Sequence, residues 1–386
     1  MNRENGFSLI EMMVSIVVML VVVTTATLMI VQAQHATDGV ALMANTQENL
    51  RAAMHFITRD LTQAGEGIPP AGVTIPNSAA GVSAINRPGT ATTFPTTYTL
   101  IPVVTPGYEI GQAATSLNPT TGAVLTGVNT DVINIVYADN TLVDTAGNFL
   151  NSYPIVQSAP ATPVCTGAIA ATGLTVTLAT GCFKMPGTPI PIQVGNLILF
   201  TNQNGTALEY VTGVAGQVIT FAAGDPGGLN QTGLPNGTVA NLKSAGVFPP
   251  TTIQRVWMVS YYIDSTTNPS KPQLVRQVNY ANYPAGAAAN PPQQIGDVIE
   301  NLGFSYDITN STAPAGTYPI GPGDAPFPSA PDTPGQVRAV NVFVAGRSEY
   351  TYQGSLTPQY FRNNLWTQVS LRSMSFQNQF STTPIP

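Results

Sequence analysis

Charge is scarce in this sequence. Of 386 residues, 13 are lysine or arginine and 19 are aspartate or glutamate, which leaves a net charge of -6 and an isoelectric point near 4.8. No cluster of basic side chains occurs, so the phosphate-neutralising surface that nucleic-acid binding requires is missing and no nucleic-acid partner is expected. Histidine is scarcer still, and the two present, His35 and His55, stand too far apart on one predicted helix to share a metal ion. The two cysteines, Cys165 and Cys182, are too few for a stapled framework. In a Thr-, Gly- and Pro-rich segment of extracellular or periplasmic character they read as a disulfide closing a short loop, with two unpaired thiols as the alternative. A metal site would need further soft ligands at matched spacing, which no second Cys or His pair supplies.

The motifs of catalysis are absent as well. There is no G-x-S-x-G elbow, no phosphate-binding loop and no complete dinucleotide fingerprint, since Gly321-Pro322-Gly323 has no helix signal behind it. Acidic residues are scattered singly. No catalytic residue, metal or cofactor is therefore expected, and the chain reads as a non-enzyme. What is plentiful is glycine and proline, 35 and 33 residues, with much Thr, Asn and Gln. That composition favours turns, short strands and long loops over a helical bundle, in a chain long enough for two or three domains.

One region breaks the pattern. Residues 12–31 contain no charge, proline or glycine, and as a helix about 20 residues long would span the ~30 Å hydrocarbon core of a bilayer. Directly before them stands Gly6-Phe7-Ser8-Leu9-Ile10-Glu11: a short polar leader ends at Gly6, the apolar run starts at Phe7, and a carboxylate follows inside it. A cleaved secretory signal is one rival, with Val31-Gln32-Ala33 as its cleavage site. Against it stand the weakly positive start, Arg3 beside Glu4, and Glu11 within the apolar region. A simple uncleaved anchor is the other, but a carboxylate costs about 2.5–3.5 kcal/mol at a helix centre, less near the interface, and normally has a partner. A cut after Gly6 would make that partner. The new amine of Phe7, on a neighbouring helix displaced along a bundle axis, lies within reach of Glu11, and pairing neutralises both charges.

These residues resemble the class III leader of type IV prepilins and type II secretion pseudopilins. The resemblance implies that prepilin peptidase cuts between Gly6 and Phe7, that Phe7 is N-methylated, and that Glu11 recruits and registers subunits during assembly. Glu4 departs from the family's usually more basic leaders.

The helical pattern continues past the membrane segment. Leu50, Met54, Ile57 and Leu61 share one face, and Gly65-Glu66-Gly67 with Pro69-Pro70 supplies the stop. Short β-like runs follow at 131–137, 174–179, 196–202, 208–214 and 218–222, with Asn204-Gly205 as a hairpin turn signal. This stretch reads as a small β unit displayed away from the helix. Stronger runs at 256–262, 273–280, 298–308, 337–344 and 365–376 read as five strands of one antiparallel sheet, covered by the amphipathic half of the helix. The expected fold is α+β: a long N-terminal helical spine, a transmembrane half plus an amphipathic half, packed on a C-terminal antiparallel sheet, with a β-rich insertion. The expected divisions are a leader at 1–6, a spine at 7–66 with its transmembrane segment at 7–31, an insertion at 67–250 and a sheet domain at 251–386.

The 56–65 segment, with Arg59-Asp60 ahead of Ala64-Gly65, is similar to the end of the spine in PilW-type minor pilins. Leu274-Val275-Arg276, residues 298–306, and Val337-Arg338-Ala339-Val340 with Gly346-Arg347-Ser348 are similar to that family's C-terminal sheet. The resemblance implies a minor pilin, held in the inner membrane by one pass with its C-terminal domain in the periplasm, then carried in a cell-surface pilus. Its implied partners are prepilin peptidase, other major and minor pilins, the inner-membrane assembly platform, and membrane lipid before assembly. A J-type pseudopilin of a type II secretion system, or a filament-borne adhesin acting through 67–250, are the alternatives.

Overall fold

The computed structural model describes residues 8–69, 72–76, 84–95, 98–139, 153–155, 167–178, 192–232, 236–280, 291–308, 334–352, 354 and 357–372. Gly6, Phe7, Cys165 and Cys182 lie outside these residues, and so does the pairing expected of the two cysteines. One α-helix, Leu9–Gln63, runs for 55 residues, about 82 Å at the usual rise. It lies on an antiparallel β region, so the α+β architecture is as expected.

The helix ends where its signals place the stop. Ala64 closes the last turn, and Gly65 and Gly67 take the positive φ values of 78° and 68° that favour glycine. The chain then hydrogen-bonds to the edge of strand Val132–Ala138: Gly65 donates to the Val136 carbonyl at 2.9 Å and Ala138 donates to Glu66 at 2.8 Å. Leu50, Ala53, Ile57 and Leu61 are fully buried against the β region. Each such aliphatic side chain larger than alanine contributes about 1.5–3 kcal/mol by leaving water.

An eight-stranded sheet is organised by the central strand Thr251–Asp264. Its run of Ile, Val, Trp and Tyr suits a strand with neighbours on both sides. The first half pairs with Leu197–Asn202 and Tyr153–Ile155, the second with Val132–Ala138 and Gln273–Val278. Gln273–Val278 pairs in turn with Gln293–Asp297. A second, three-stranded sheet contains Ile299–Ile308, Val337–Tyr352 and Gln359–Ser370, in that order. The lower half of the helix lies across the last two of these strands.

Two expectations change here. The five strong runs divide between the two sheets. The chain crosses over at Val298, buried at φ 56°, a value strongly disfavoured for a β-branched residue; it interrupts the strand between Asp297 and Ile299. The 67–250 stretch is not displayed away from the helix. Strands 132–138, 197–202 and 205–210 join the central sheet, and Val73, Ile75, Phe94 and Ile101 share one core with Leu50 and Ile57. Alternation explains this placement. Leu197 and Leu199 face the main core, whereas Ile198 and Phe200 face a second core shared with Val176, Ile219, Phe221 and Phe248. A strand apolar on both faces must be covered on both, and a four-stranded sheet containing Thr175–Leu178 and Val218–Thr220 contributes the second cover. The hairpin at 204–205 forms one residue early: Asn202 pairs with Gly205, leaving Gln203 and Asn204 as the turn.

Two acids are buried near the second core. Glu209 accepts the Val239 N–H at 3.2 Å, and Asp225 accepts the N–H groups of Gly227, Leu229 and Asn230. Burial pushes both carboxyls up, that of Glu209 well above the ordinary range. The folded chain thus keeps protons that the unfolded chain releases above about pH 4.3, so this contribution to stability falls as pH rises from there towards the folded values. Glu209→Gln preserves an acceptor for Val239 and removes one ionisation. It should raise the melting temperature at neutral pH and flatten the decline; melting curves with an unchanged slope against pH would place the proton elsewhere.

Candidate functional site, the exposed helix and its anchor

Ser8 caps the helix in extended geometry, φ -71° and ψ 140°. Glu11 turns back from the first turn so that Oε2 accepts the Ser8 N–H at 3.1 Å. The bond satisfies a donor at the helix start and sets a negative charge at the positive end of the helix dipole. The spacing Ser8-Leu9-Ile10-Glu11 carries this capping signal, which adds a local role to the intermolecular one expected of Glu11.

Beyond the cap the helix is a bare apolar rod. Leu9 is 78% exposed and every large hydrophobic residue from there to Val31 is exposed too. Its hydroxyls are satisfied internally: Ser15, Thr24 and Thr27 donate to the carbonyls four residues earlier at 2.7–2.8 Å. Thr25 donates to Val21 and Val22. No described hydroxyl in this stretch brings an unpaired donor into an apolar medium, so the surface suits lipid or the flanks of similar helices.

The lower end is anchored by a buried carboxylate. Asp60 lies on the inward face with Ile57 and Leu61, where it accepts the Tyr261 hydroxyl at 2.6 Å and Arg276 Nε at 2.6 Å. Arg59 approaches the second oxygen at 3.2 Å from a half-exposed position. Arg276 also donates to Gln293 at 3.1 Å. Tyr261 and Arg276 face each other in register on adjacent strands, which makes one cross-strand pair the socket for Asp60. Burial, and then the charge of Asp60, push the Tyr261 hydroxyl up; the same causes move Tyr137 up to about 12. Burial works against the Arg276 charge, but the Asp60 bond prevails and holds it above its ordinary value. The sequence displayed Asp60 and Arg276 in separate segments and gave no sign that they meet.

A second contact lies higher on the helix. Gly39 brings the backbone so close to Tyr352 that a Cβ would stand 2.8 Å from the ring. Glycine is needed here for the close approach.

The leader is decided by comparison. Residues 1–27 match the family model described as the prokaryotic N-terminal methylation motif. The chain carries a type IV prepilin-like leader. That motif implies processing by prepilin peptidase and assembly with pilins, and it supports a pilin-like or pseudopilin precursor. The leader passes straight into the exposed apolar half of the helix, an arrangement consistent with membrane anchoring. No curated protein and no solved structure matches the chain. The two histidines stay apart, His35 half-buried and His55 exposed beside Phe56 at 6.1 Å. Among the described residues no three His, Cys, Asp or Glu side chains gather as metal ligands.

Proposed function

We propose that this protein is a minor type IV pilin of the PilW kind, which primes or caps a pilus and acts by assembly without catalysis. The observation that carries the reading is the prepilin-like leader running into a helix whose apolar half is wholly uncovered while its lower half is locked to a β domain. Prepilin peptidase removes residues 1–6 and Phe7 is methylated. The helix holds the subunit in the inner membrane with its β domain in the periplasm. The assembly platform then moves it into the filament, where neighbouring pilins replace lipid around Leu9 to Val31. Glu11 takes the Phe7 amine of an adjacent subunit as its partner.

Support for the PilW kind comes from the segments similar to that family. Asp60 at the end of the spine and Arg276 in the sheet, far apart in sequence, form one bonded pair. A minor role suits the size of the β region, which would crowd a dense filament if repeated at every position. The test is N-terminal mass analysis of the protein from sheared filaments. The expected product begins at N-methyl-Phe7, and Gly6→Ala should leave the precursor uncut; an N-methyl-Phe7 terminus in that variant would overturn the processing step.

A further inference from the structure

A cleft of about 290 Å³ opens between the 113–129 hairpin and the outer face of the three-stranded sheet. The other face, where Leu302, Phe304, Val342 and Val344 lie, belongs to the main core, with the helix lying across the last two strands. On the cleft side, one row across the strands places Gly303 opposite Phe343 and Phe343 opposite Trp366. Gly303 places no side chain beside Phe343 in that row, Phe343 is half-buried, and Trp366 stands 70% exposed. The two aromatic residues, neighbours across adjacent strands, both line the cleft and make up its aromatic platform. Asn301 borders the cleft from the sheet and Asn129 from the hairpin.

The surroundings are polar and already ordered. In the next row Asn341 donates to Ser305 and Asp307 at 3.2 Å, and Gln368 donates to Asp307 at 2.5 Å. The hairpin wall is held to the sheet through Glu300, which accepts Ser116 at 2.5 Å and Arg362 at 3.2 Å and forms an ion pair with Arg347 at 2.9 Å. Glu109, on the cleft wall, has a φ of 49°. Its N–H is bound by Asp131 at 2.9 Å and its carbonyl by Asn129 at 3.2 Å. Such strain in a non-glycine residue persists where its surroundings impose it, and it clusters at ligand sites.

We propose that this cleft binds a neutral saccharide, one ring stacked on Trp366 and Phe343 with Asn301 and Asn129 at its hydroxyls. An aromatic face matches the C–H face of a sugar ring, while side-chain amides both donate to and accept from neighbouring hydroxyls. The volume lies at the small end of ligand pockets, about 300–1,000 Å³, and admits a single ring of a longer glycan. Asp131 is not available to a cation, because both its oxygens accept backbone N–H groups, from Glu109 and Phe304. A purely apolar ligand would strip water from Asn301 and Asn129 and return no hydrogen bond. The inference does not rest on the assembly reading, since a chain that never joined a filament would present the same cleft.

The test uses the full chain in lipid nanodiscs, free of glycoside detergent, titrated with maltohexaose, cellohexaose, mannohexaose and chitohexaose by calorimetry and tryptophan fluorescence. The other tryptophan, Trp257, lies under the Arg255 guanidinium at 4.9 Å and away from the cleft. Saturable binding is expected to at least one glycan, about tenfold or more weaker in Trp366→Ala, partly kept in Trp366→Phe and unchanged in Trp257→Phe. Trp366 is exposed, so its removal should leave the melting temperature unchanged. No saturable binding to any of the four, or binding that survives Trp366→Ala, overturns the site. Loss of pilus assembly in Trp366→Ala, with no glycan bound by the parent chain, would make the platform a subunit contact instead.

Discussion

Asp60→Ala is expected to destabilise the β domain by about 3–5 kcal/mol, the usual result of removing one partner from a buried ion pair. The carboxylate has no exposed surface, and its loss strands the Arg276 guanidinium and the Tyr261 hydroxyl inside the protein. A few kcal/mol is a large share of the stability of any domain, so the variant should accumulate poorly and succumb to protease. Arg59→Ala is the control. Arg59 is 45% exposed in its side chain, and a solvent-screened pair of that kind is worth about 0–1 kcal/mol. Asp60→Asn should fall between the two, because it retains the shape and one acceptor but not the charge. Denaturant unfolding of the full chain in nanodiscs reads all three. A loss in Asp60→Ala no larger than in Arg59→Ala would show that the helix is held by apolar contacts alone.

Glu11→Ala is expected to leave membrane insertion intact or improved while reducing pilus incorporation by tenfold or more, on the order of 1.4 kcal/mol of lost coupling at least. The charge is unfavourable in lipid and favourable only where an amine meets it. Alanine also removes the acceptor for the Ser8 N–H, however, so it confounds two roles. Glu11→Gln separates them. Glutamine serves the same capping position but carries no charge to pair with an amine. If pairing with Phe7 drives assembly, the glutamine variant fails like alanine. Quantitative immunoblots of sheared filaments against membrane fractions measure the difference, and normal incorporation of Glu11→Gln would reduce Glu11 to a helix cap.

How much of this was legible depends on the range of the interaction. The helix stop at Gly65 and Gly67 was readable because it uses local backbone geometry. The inward face, Leu50, Met54, Ile57 and Leu61, was readable because 3.6-residue periodicity is local too. Strand positions were mostly visible in runs of β-branched and aromatic residues, yet Gln359–Ser370 begins six residues before its apolar signal. Its first half, Gln359 to Asn364, is amide-rich and held by pairing with Arg347, Thr351 and Tyr352 instead of by burial pattern. The 113–129 hairpin and Gln293–Asp297 were missed for the same reason. The apolar residues they hold, among them Val124, Leu125, Val128 and Ile295, stand among Gly, Thr, Asn and Gln and are exposed or half-buried, so only the partner strand makes them strands.

The sequence by itself determined the leader, the long helix and the predominance of β structure beyond it, because each is written in neighbouring residues: a carboxylate five positions after Gly6, an uncharged apolar run, and alternating strand-forming segments. Tertiary structure alone decided which distant residues meet. It placed Asp60 in the Tyr261 and Arg276 socket, divided the strands between two sheets at Val298, and aligned Gly303, Phe343 and Trp366 in one row. Those outcomes follow from strand register and the closure of a common core, and both are set by contacts between residues scores of positions apart that no local pattern encodes.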